Sequence, residues 1–546
     1  MKFHTLLLFL FVFCVLKCTA AVPNGCVFNE VMKMSGPPVS VVRELPKKGQ
    51  GSLQAYTASS SNEWAPIRIV VSSEDLNDPS KYCDESFRVR PDYWLGINTS
   101  CNPLEVLTDA KKKRLLSEIL PVAIKLHSDR LLVHRESKPV VVPTFTSEIC
   151  SRFSVPNTHR TAGVSGADMV LYLAATPSNV WAVPCAEKEK RTIVATMNVS
   201  PSYIEEIQVI SRLVAHELGH ALGFNYNQFI TLGMTKEVQG IRGKETNVLL
   251  INTSMTKKKA EEHYNCANID GVELEEGVSE ISHWGRRNAK DELMGFRDDN
   301  GIMLYTALTM ATFEDMGVFK ANWGMEETMR WGRNAGCEFL QQKCMVDNIT
   351  KYPHMFCNTT NPLRCTSDRR ALGVCNIVSN LVSLPEQFQY FTSNTVGGPS
   401  SDAMDHCPIV SSNLICSKEN TGDTSASLLG RDSWCLDTDS LIVKYNDADV
   451  EMGGLCVVVK CDGNDVSVKY KGSDSWQKCH EGETITPKGS KFVSGSIICP
   501  KYNEVCTVAP DGGSLAKATS GDKTVTDTLF LPFISLVAAM VILLIS

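Results

Sequence analysis

His216-Glu217-Leu218-Gly219-His220 is the stretch of this 546-residue chain that decides how its surroundings fold. Residues four apart lie on the same face of a helix, so His216 and His220 can present two imidazoles to one metal ion. Glu217 projects about 100° round the helix axis from His216, beside the metal instead of on it. A carboxylate placed there can hold and deprotonate a metal-bound water. The stretch therefore predicts a helix that carries part of a catalytic metal site.

The residues before this stretch support a helix over 202–222. Ser202 is the predicted N-cap, and Gly223 is the predicted end of the helix. Apolar residues recur between them at helical spacing, at Ile204, Ile207, Ile210, Leu213, Val214, Leu218 and Ala221. In the alternative interpretation this is a core helix whose histidines make ordinary hydrogen bonds. That alternative would leave Glu217 near the buried side without a partner, which is costly.

Two histidines do not complete a catalytic zinc site, which normally has three protein ligands and a water. Gly223 fits the metzincin pattern, in which the third histidine follows three residues after the glycine. Here that part of the chain reads Asn225-Tyr226-Asn227, so the third ligand is missing from its usual place.

His263 and His283 are the nearest downstream candidates for the third ligand. In metzincins a methionine turn shortly after the third ligand forms an apolar floor beneath the zinc. Met294 follows His283 at a suitable distance and so favours it. His263 lies close to Cys266, which we expect in a disulfide.

These residues carry a family resemblance. His216-Glu217-Leu218-Gly219-His220, followed by Ser282-His283-Trp284 and Asp291-Glu292-Leu293-Met294, closely resembles the leishmanolysin family of surface proteases. Residues 221–282 separate the second and third ligands, and such an insertion distinguishes this family from other metzincins. The resemblance extends from about Trp64 to Cys506.

The resemblance implies a zinc metalloendopeptidase that cleaves proteins and peptides. One Zn2+ per chain would be bound by His216, His220 and His283. Glu217 would act as the general base toward the zinc-bound water, and Met294 would be a structural floor that does not bind metal. The competing hypothesis is a catalytically inactive, protease-like surface adhesion protein. The intact Glu217 and the three histidines argue against it.

The predicted fold class is α+β. Strand-like runs at Ile67–Val71, Met169–Leu173 and Thr192–Thr196, with helical patterns around 108–125 and 202–222, predict a mixed α/β unit. Leu455–Val459 and Val466–Tyr470 flank a turn-forming Asp462-Gly463-Asn464-Asp465 and predict a β-hairpin in a cysteine-rich region.

The resemblance divides the chain further. It implies a metzincin-type N-terminal catalytic subdomain over 63–224, with the zinc helix. A central subdomain over 225–340 would carry the third ligand and the methionine turn. A disulfide-rich, mainly antiparallel β domain would follow over 341–518.

The cysteines indicate an oxidising compartment. Residues 1–20 read as a secretory signal peptide, and Cys14 and Cys18 would leave with it. Of the 21 cysteines this leaves an odd number, and Cys26 is the isolated one. The remaining cysteines, from Cys83 to Cys506, can form nine disulfides.

Residues 21–62 are rich in proline, glycine and serine, have little apolar periodicity, and are interpreted as a pro-segment. The resemblance implies a zymogen in which a pro-segment thiol occupies the metal. Cys26 is the candidate for this latency switch, because a thiolate would fill the open coordination position and exclude water. The alternative is an unpaired structural cysteine.

The C-terminus indicates a membrane anchor. Leu529–Ile545 is continuously apolar or small, and no basic residue follows it. Small residues at Ala518-Thr519-Ser520-Gly521 precede a polar spacer, which is typical of a glycolipid-anchor signal over 519–546 that is removed. The alternative is a tail retained as a single membrane span. The sequence therefore predicts a lipid-anchored protein on the extracellular face of the membrane, with release as a further possibility.

Surface and partner predictions complete this set. The formal net charge of −7 argues against a nucleic-acid partner. The sequence carries no signal for an oligomeric state. Five Asn-x-Ser/Thr acceptors predict glycosylation on the surface, at Asn98, Asn198, Asn252, Asn348 and Asn358.

Overall fold

The computed structural model describes residues 26–41, 63–275, 281–295, 301–418, 426–445 and 448–516. The predicted signal peptide and anchor signal lie outside these residues. The described helices in chain order are α1 Phe28–Ser35, α2 Asp109–Arg114, α3 Leu120–Ser128, α4 Glu148–Ser151, α5 Asn157–Thr161, α6 Ile207–Ala221, α7 Tyr226–Thr231, α8 Ser254–Tyr264, α9 Arg286–Ala289, α10 Ala307–Asp315, α11 Cys337–Gln341 and α12 Tyr502–Val505. A π-helical segment, Leu115–Ile119, joins α2 to α3.

The strands of the N-terminal and central parts are each shorter than α6, which lies between β9 and β10 in the chain. They are β1 Val39–Ser40, β2 Trp64–Pro66, β3 Ile69–Ser72, β4 Val89–Asp92, β5 Ile97–Ser100, β6 Leu131–His134, β7 Met169–Ala174, β8 Val180–Lys188, β9 Arg191–Val199, β10 Thr235–Val238, β11 Val248–Ile251, β12 Val272–Glu273 and β13 Lys320–Ala321. The C-terminal part contributes β14 Leu363–Cys365, β15 Ala371–Cys375, β16 Val378–Ser379, β17 Val396–Gly397, β18 Val410–Ile415, β19 Ser433–Tyr445, β20 Ala448–Asp462, β21 Asp465–Lys469, β22 Gln477–Lys478, β23 Thr484–Ile485 and β24 Phe492–Ile498.

A five-stranded mixed sheet with the order β1-β8-β9-β7-β3 supports the N-terminal part. β3, β7 and β9 are mutually parallel, whereas β8 is antiparallel to β9. Successive side chains of a strand point to opposite faces. Leu171 and Leu173 of β7 accordingly belong to the same buried cluster as α6, while Tyr172 belongs to the cluster that contains Phe28 of α1. Both faces of the sheet are therefore covered, which explains the uninterrupted apolar sequence of β7.

Helix α6 starts later than its sequence pattern predicts. Residues 201–203 form a short 3-10 turn, and the helix begins at Ile207 after Glu206 in an extended conformation. Ser202 is hydrogen-bonded to Ser200 through the two hydroxyl groups, 2.9 Å apart, so it does not act as the N-cap. The predicted end is close to the observed one, since α6 ends at Ala221 and Gly223 follows with φ +123°.

Part of the predicted pro-segment, residues 21–62, forms regular secondary structure. Val27, Phe28, Val31 and Met32 are buried along one side of α1. β1 then adds in parallel to the edge of β8, where Val39 faces Ala186. The prediction that 21–62 lacks a periodic apolar pattern is therefore wrong for residues 27–35.

The C-terminal part is mostly antiparallel β-structure stapled by disulfides. Its large sheet runs β18-β15-β14-β20-β19-β24-β23, with β21 and β22 attached beside β20. Only the β14–β20 pair of this sheet is parallel among the described residues. The predicted hairpin is present as β20 and β21, paired between Asp462 and Asp465.

The nine expected disulfides are all formed, and Cys26 is a free thiol. The pairs are Cys83–Cys101, Cys150–Cys185, Cys266–Cys337, Cys344–Cys407, Cys357–Cys375, Cys365–Cys435, Cys416–Cys456, Cys461–Cys506 and Cys479–Cys499. All described residues belong to one compact unit that ends at Ala516. Within them, no helix combines the length and the apolar character required to cross a bilayer.

Candidate metal centre

Helix α6 positions the first two histidines. Every residue from Ile210 to Ala221 is buried, so His216 and His220 point into the protein and not into solvent. One helical turn separates them, and their Nε2 atoms lie 3.1 Å apart. The spacing seen in the sequence therefore produces the expected shared face.

The chain turns away directly after His220. Gly223 adopts a positive φ that favours glycine, and Asn225 then accepts a hydrogen bond from the Gln228 backbone N–H, which caps α7. Tyr226 stands where the usual third histidine would be, and its backbone N–H donates to Ser282 Oγ at 3.2 Å. Tyr226, at the position where the usual third histidine is missing, is thus hydrogen-bonded to Ser282, which directly precedes His283.

His283 completes the cluster and His263 does not. The Nε2 atoms of His283 and His220 are 3.0 Å apart, and His283 is 1% exposed. The Nε2 atom of His263 instead lies 2.8 Å from the carbonyl oxygen of Trp331, and Cys266 forms its expected disulfide. The structure therefore places His283, the candidate that the spacing to Met294 favoured, beside His216 and His220.

The outward-facing ring nitrogens of the three histidines all meet acceptors. The Nδ1 atom of His216 lies 2.6 Å from the Leu293 carbonyl, that of His220 lies 2.7 Å from the Phe224 carbonyl, and that of His283 lies 2.9 Å from Glu275 Oε1. Carbonyl and carboxylate oxygens only accept, so each Nδ1 must carry the proton. Each neutral ring then turns an unprotonated Nε2 toward the same point.

This donor set fits a zinc ion. The Nε2 atom of His220 lies 3.1 Å from that of His216 and 3.0 Å from that of His283, and lone pairs this close repel one another unless a cation lies between them. Neutral imidazole is a preferred zinc ligand. Zn–N bonds of about 2.0–2.1 Å in tetrahedral geometry place ligand nitrogens about 3.3 Å apart, close to the separations of the Nε2 atoms. Burial, together with the neighbouring His216 and His283, holds the pKa of His220 well below its usual value, which keeps the ring neutral.

Met294 lies beneath this face of α6. Its side chain is fully buried, and a Cβ added at Gly219 would meet its sulfur at 2.6 Å. The backbone of the methionine turn is held by Glu292, whose carboxylate accepts from the Met294 N–H at 2.6 Å. Burial raises the pKa of Glu292 to about 7. Met294 therefore packs against α6 at Gly219, between His216 and His220 in the sequence.

Cys26 lies close to the same three imidazoles. Its sulfur lies 3.6 Å from His220 Nε2, and the sulfur and one ring nitrogen of each histidine all lie within 4.8 Å of one another. Phe28 stacks on the His220 ring at 4.1 Å between centroids. Burial, followed by the charge of Glu217, raises the pKa of the Cys26 thiol well above its usual value. A metal ion would reverse this tendency, because it binds the thiolate.

Glu217 is fully buried next to His216 and close enough to Cys26 to influence its thiol. The three imidazoles of His216, His220 and His283 therefore meet in one place with the Cys26 thiol, and Glu217 is near enough to that thiol to affect its pKa.

Glu275 belongs to this centre and was not predicted from the sequence. Glu275 Oε1 accepts from His283, from the Ser282 backbone N–H at 3.1 Å and from Asn29 Nδ2 at 3.1 Å. Burial raises the pKa of Glu275, but the contacts with His283, the Ser282 N–H and Asn29 together lower it by more, so the pKa lies below its usual value. The available signal was an acidic residue eight positions before the third histidine, which is too common to single out.

The structure corrects one glycosylation prediction. Asn198 lies in β9 and is 0% exposed; its side chain accepts from Thr176 N–H at 2.8 Å and donates to the Asn179 carbonyl at 2.9 Å. No glycan can be attached to a side chain enclosed in this way, so the surface prediction is wrong for Asn198. Asn98, Asn348 and Asn358 are exposed, and Asn252 is partly exposed.

Comparisons with known proteins agree with the resemblance seen in the sequence. A model of the leishmanolysin family matches residues 22–512. Leishmanolysin from Leishmania major is 34% identical over 509 residues, covering 87% of this chain and 82% of the relative. A leishmanolysin homolog from Crithidia fasciculata is 35% identical over 469 residues, covering 82% of this chain and 71% of the relative.

A more distant relative extends the comparison beyond these organisms. A leishmanolysin-like peptidase from Caenorhabditis briggsae is 24% identical over 446 residues, covering 63% of this chain and 66% of the relative. The closer matches are long on both sides and span the helix, the inserted stretch and the cysteine-rich part. The chain therefore belongs to the leishmanolysin family of metalloproteases.

Proposed function

We propose that this chain is a zinc metalloendopeptidase that binds one Zn2+ through His216, His220 and His283. The observation that carries the proposal is the convergence of Nε2 atoms whose partner Nδ1 protons are already committed to acceptors. In a helix with a purely structural role, imidazole lone pairs held this close together would repel one another, whereas a bound cation would stabilise them. Membership of a metalloprotease family supports proteins or peptides as the substrates.

Bound zinc would supply Lewis acidity, which makes a water nucleophilic near neutral pH and polarises the scissile carbonyl. The chain's own residues supply the rest. Glu217 accepts the proton of the attacking water and then delivers it to the leaving amine, so one carboxylate serves both halves of the hydrolysis. Glu217 is fully buried in α6 and directly follows His216, which supports this role.

The chain is proposed to be made as a latent zymogen. Residues 21–62 would be the pro-segment, with Cys26 as the fourth metal ligand. The position of the Cys26 sulfur near the three imidazoles supports this, as does the burial of one side of α1 against the N-terminal part.

The remaining proposals concern organisation and location. The catalytic subdomain would span 63–224, the central subdomain 225–340 and the C-terminal domain 341–518, all packed into one unit. Nine disulfides are typical of a protein that folds in the secretory pathway and works outside the cell. The signal peptide over 1–20 and the glycolipid-anchor signal over 519–546 remain proposals from the sequence alone.

The deciding experiment compares mature protein with its Glu217→Ala variant on casein. We expect Glu217→Ala to lower the rate about 10²- to 10⁴-fold, because it removes the proton acceptor and leaves the zinc ligands intact. Zinc content, measured by elemental analysis, should stay at one per chain. Glu118→Ala, which removes an exposed helical carboxylate, should behave as wild type.

A chelator should abolish the activity of the wild type, and added Zn2+ should restore it. Equal rates for wild type and Glu217→Ala would reject the mechanism. An inert wild type that nevertheless binds zinc would favour the adhesion hypothesis instead.

A further inference from the structure

The third metal ligand is not carried by a helix. His283 lies opposite Glu275 in a short antiparallel arrangement, in which the Glu275 N–H donates to the His283 carbonyl at 3.0 Å. Leu274 and Trp284 form the neighbouring bridge. A side chain held by so short a pairing has less support from its backbone than His216 and His220 have from α6. Something else must fix the direction of its ring.

Glu275 makes the contact that fixes this direction. Both side chains are about 1% exposed, and the Nδ1–Oε1 distance is 2.9 Å. His216 and His220 are oriented by backbone carbonyls, at Leu293 and Phe224, whereas His283 is oriented by a carboxylate. A carboxylate on the second nitrogen of an imidazole fixes its tautomer and strengthens the first nitrogen as a metal ligand.

The pro-segment binds this same carboxylate. Asn29 Nδ2 donates to Glu275 Oε1 at 3.1 Å, and both side chains are buried. Phe28, the residue before Asn29, stacks on His220. Segment α1 therefore contacts two of the three histidines by routes that do not involve the Cys26 sulfur: one directly, the other through Glu275.

We propose that Glu275 is the positioning residue of the third zinc ligand, and that the pro-segment holds the latent centre by binding Glu275 through Asn29. The proposal rests on the proposed zinc site. It adds a residue that touches neither metal nor substrate and a latency contact that is independent of the thiol. Removal of the pro-segment leaves Glu275 Oε1 with its donors from His283 and Ser282, so the ligand stays oriented in the mature chain.

The first test measures zinc affinity of the mature chain by competition with a chromogenic chelator, without any substrate. Glu275→Ala should bind zinc about 10- to 100-fold more weakly than wild type. Glu275→Gln should lie between the two, because its amide oxygen still accepts from His283 Nδ1 but carries no charge. If Glu275→Ala does not fold, the Glu275→Gln comparison alone decides the question.

Glu273→Gln is the matched control. Glu273 is buried on β12, two residues before Glu275, but its partner is Arg242 at 2.6 Å and not a histidine. It should lower thermal stability without changing zinc affinity. Wild-type affinity in Glu275→Ala and Glu275→Gln would overturn the proposal, as would an equal loss in Glu273→Gln, since that would make the effect a general consequence of disturbing this strand.

The second test uses the uncleaved chain. Asn29→Ala should raise its basal hydrolysis of casein above that of the wild-type zymogen, while Met34→Ala, an exposed position on the same helix, should not. Unchanged latency in Asn29→Ala would remove the pro-segment half of the proposal. A mature wild type without zinc or activity would instead reject the proposed function itself, so the two failures are distinguishable.

Discussion

Gly219 lies inside α6 between the two histidines, where helix propensity alone would favour alanine by about 1 kcal/mol. The structure gives the reason for glycine. A methyl group at this position would approach Met294 Sδ to 2.6 Å and Met294 Cε to 3.2 Å, and His127 Cε1 lies 3.6 Å away on the other side. Because Gly219 has no side chain, Met294 can pack directly against α6.

Gly219→Ala should therefore lower the thermal midpoint despite the gain in helix propensity. Met294→Ala alone should also be destabilising, by about 2–5 kcal/mol, because it leaves a cavity. The double variant should lose less than the sum of the two, since the added methyl group then occupies part of that cavity. A higher midpoint for Gly219→Ala, or strict additivity in the double variant, would show that the two side chains are not in contact.

Residues of the candidate site differ in how much of their proposed role can be predicted from the sequence. His216, His220 and Glu217 follow from the periodicity of a helix, and Cys26 follows from the parity of the cysteines. His283 could be preferred to His263 because Met294 follows it at a suitable distance. Glu275 could not be found, because its role depends on a pairing across residues 276–281 that no spacing rule reveals.

Asn198 was misjudged for a related physical reason. The acceptor pattern is local, whereas burial is decided by the strands on either side of β9, and a central strand covered on both faces shows no polar alternation.

Helix α1 is the element whose removal would change the chemistry. It was missed because eight residues give a weak pattern, although Val27, Phe28, Val31 and Met32 have the spacing of one buried face. It carries the ring stacked on His220 and the amide bound to Glu275, and the Cys26 thiol lies two residues before its first residue. Its contacts with the metal centre are the basis of the predicted latency.

The thiol can be tested without cleavage of the chain. Uncleaved Cys26→Ser should hydrolyse casein faster than the uncleaved wild type, because a hydroxyl is a much weaker zinc ligand than a thiolate. Ser35→Ala, at the end of α1, is the control; it removes the 2.8 Å hydrogen bond to Ser147, away from the metal centre, and should stay latent. Undiminished latency in Cys26→Ser would reduce Cys26 to a structural cysteine.

At the scale of the whole molecule, the last described residues return to the start of α6. Buried Arg212 forms two contacts with Glu327, at 2.6 and 2.7 Å, and its Nε donates to the Gly512 carbonyl at 2.8 Å. Gln208 Nε2 donates to the Ala509 carbonyl at 3.1 Å. The end of the disulfide-rich part thus supports the helix that carries the ligands, which explains why the three predicted subdomains form one unit.

Gly512→Ala should weaken this attachment. Its methyl group would lie 2.7 Å from the Gln208 carbonyl and 2.9 Å from Ser211 Cβ, at φ +89°. Gly482→Ala is the matched control, because it has φ +77° and open space around the added carbon. Both variants carry the backbone strain, but only Gly512→Ala should show a further loss of about 1–3 kcal/mol from overpacking. Equal thermal midpoints at one scan rate would contradict a tight junction.

The free thiol of Cys26 has a consequence for how the protein is made. A free thiol in a chain with eighteen disulfide-bonded cysteines can take part in disulfide exchange during oxidative folding. Here its sulfur lies 3.6 Å from His220 Nε2, and the chain leads from it directly into α1, so it stays beside the imidazoles for as long as α1 stays packed. If the pro-segment is removed as proposed, the Cys26 thiol would leave with it. All the cysteines that remain among the described residues would then be paired, with none left as a free thiol to exchange with the disulfides.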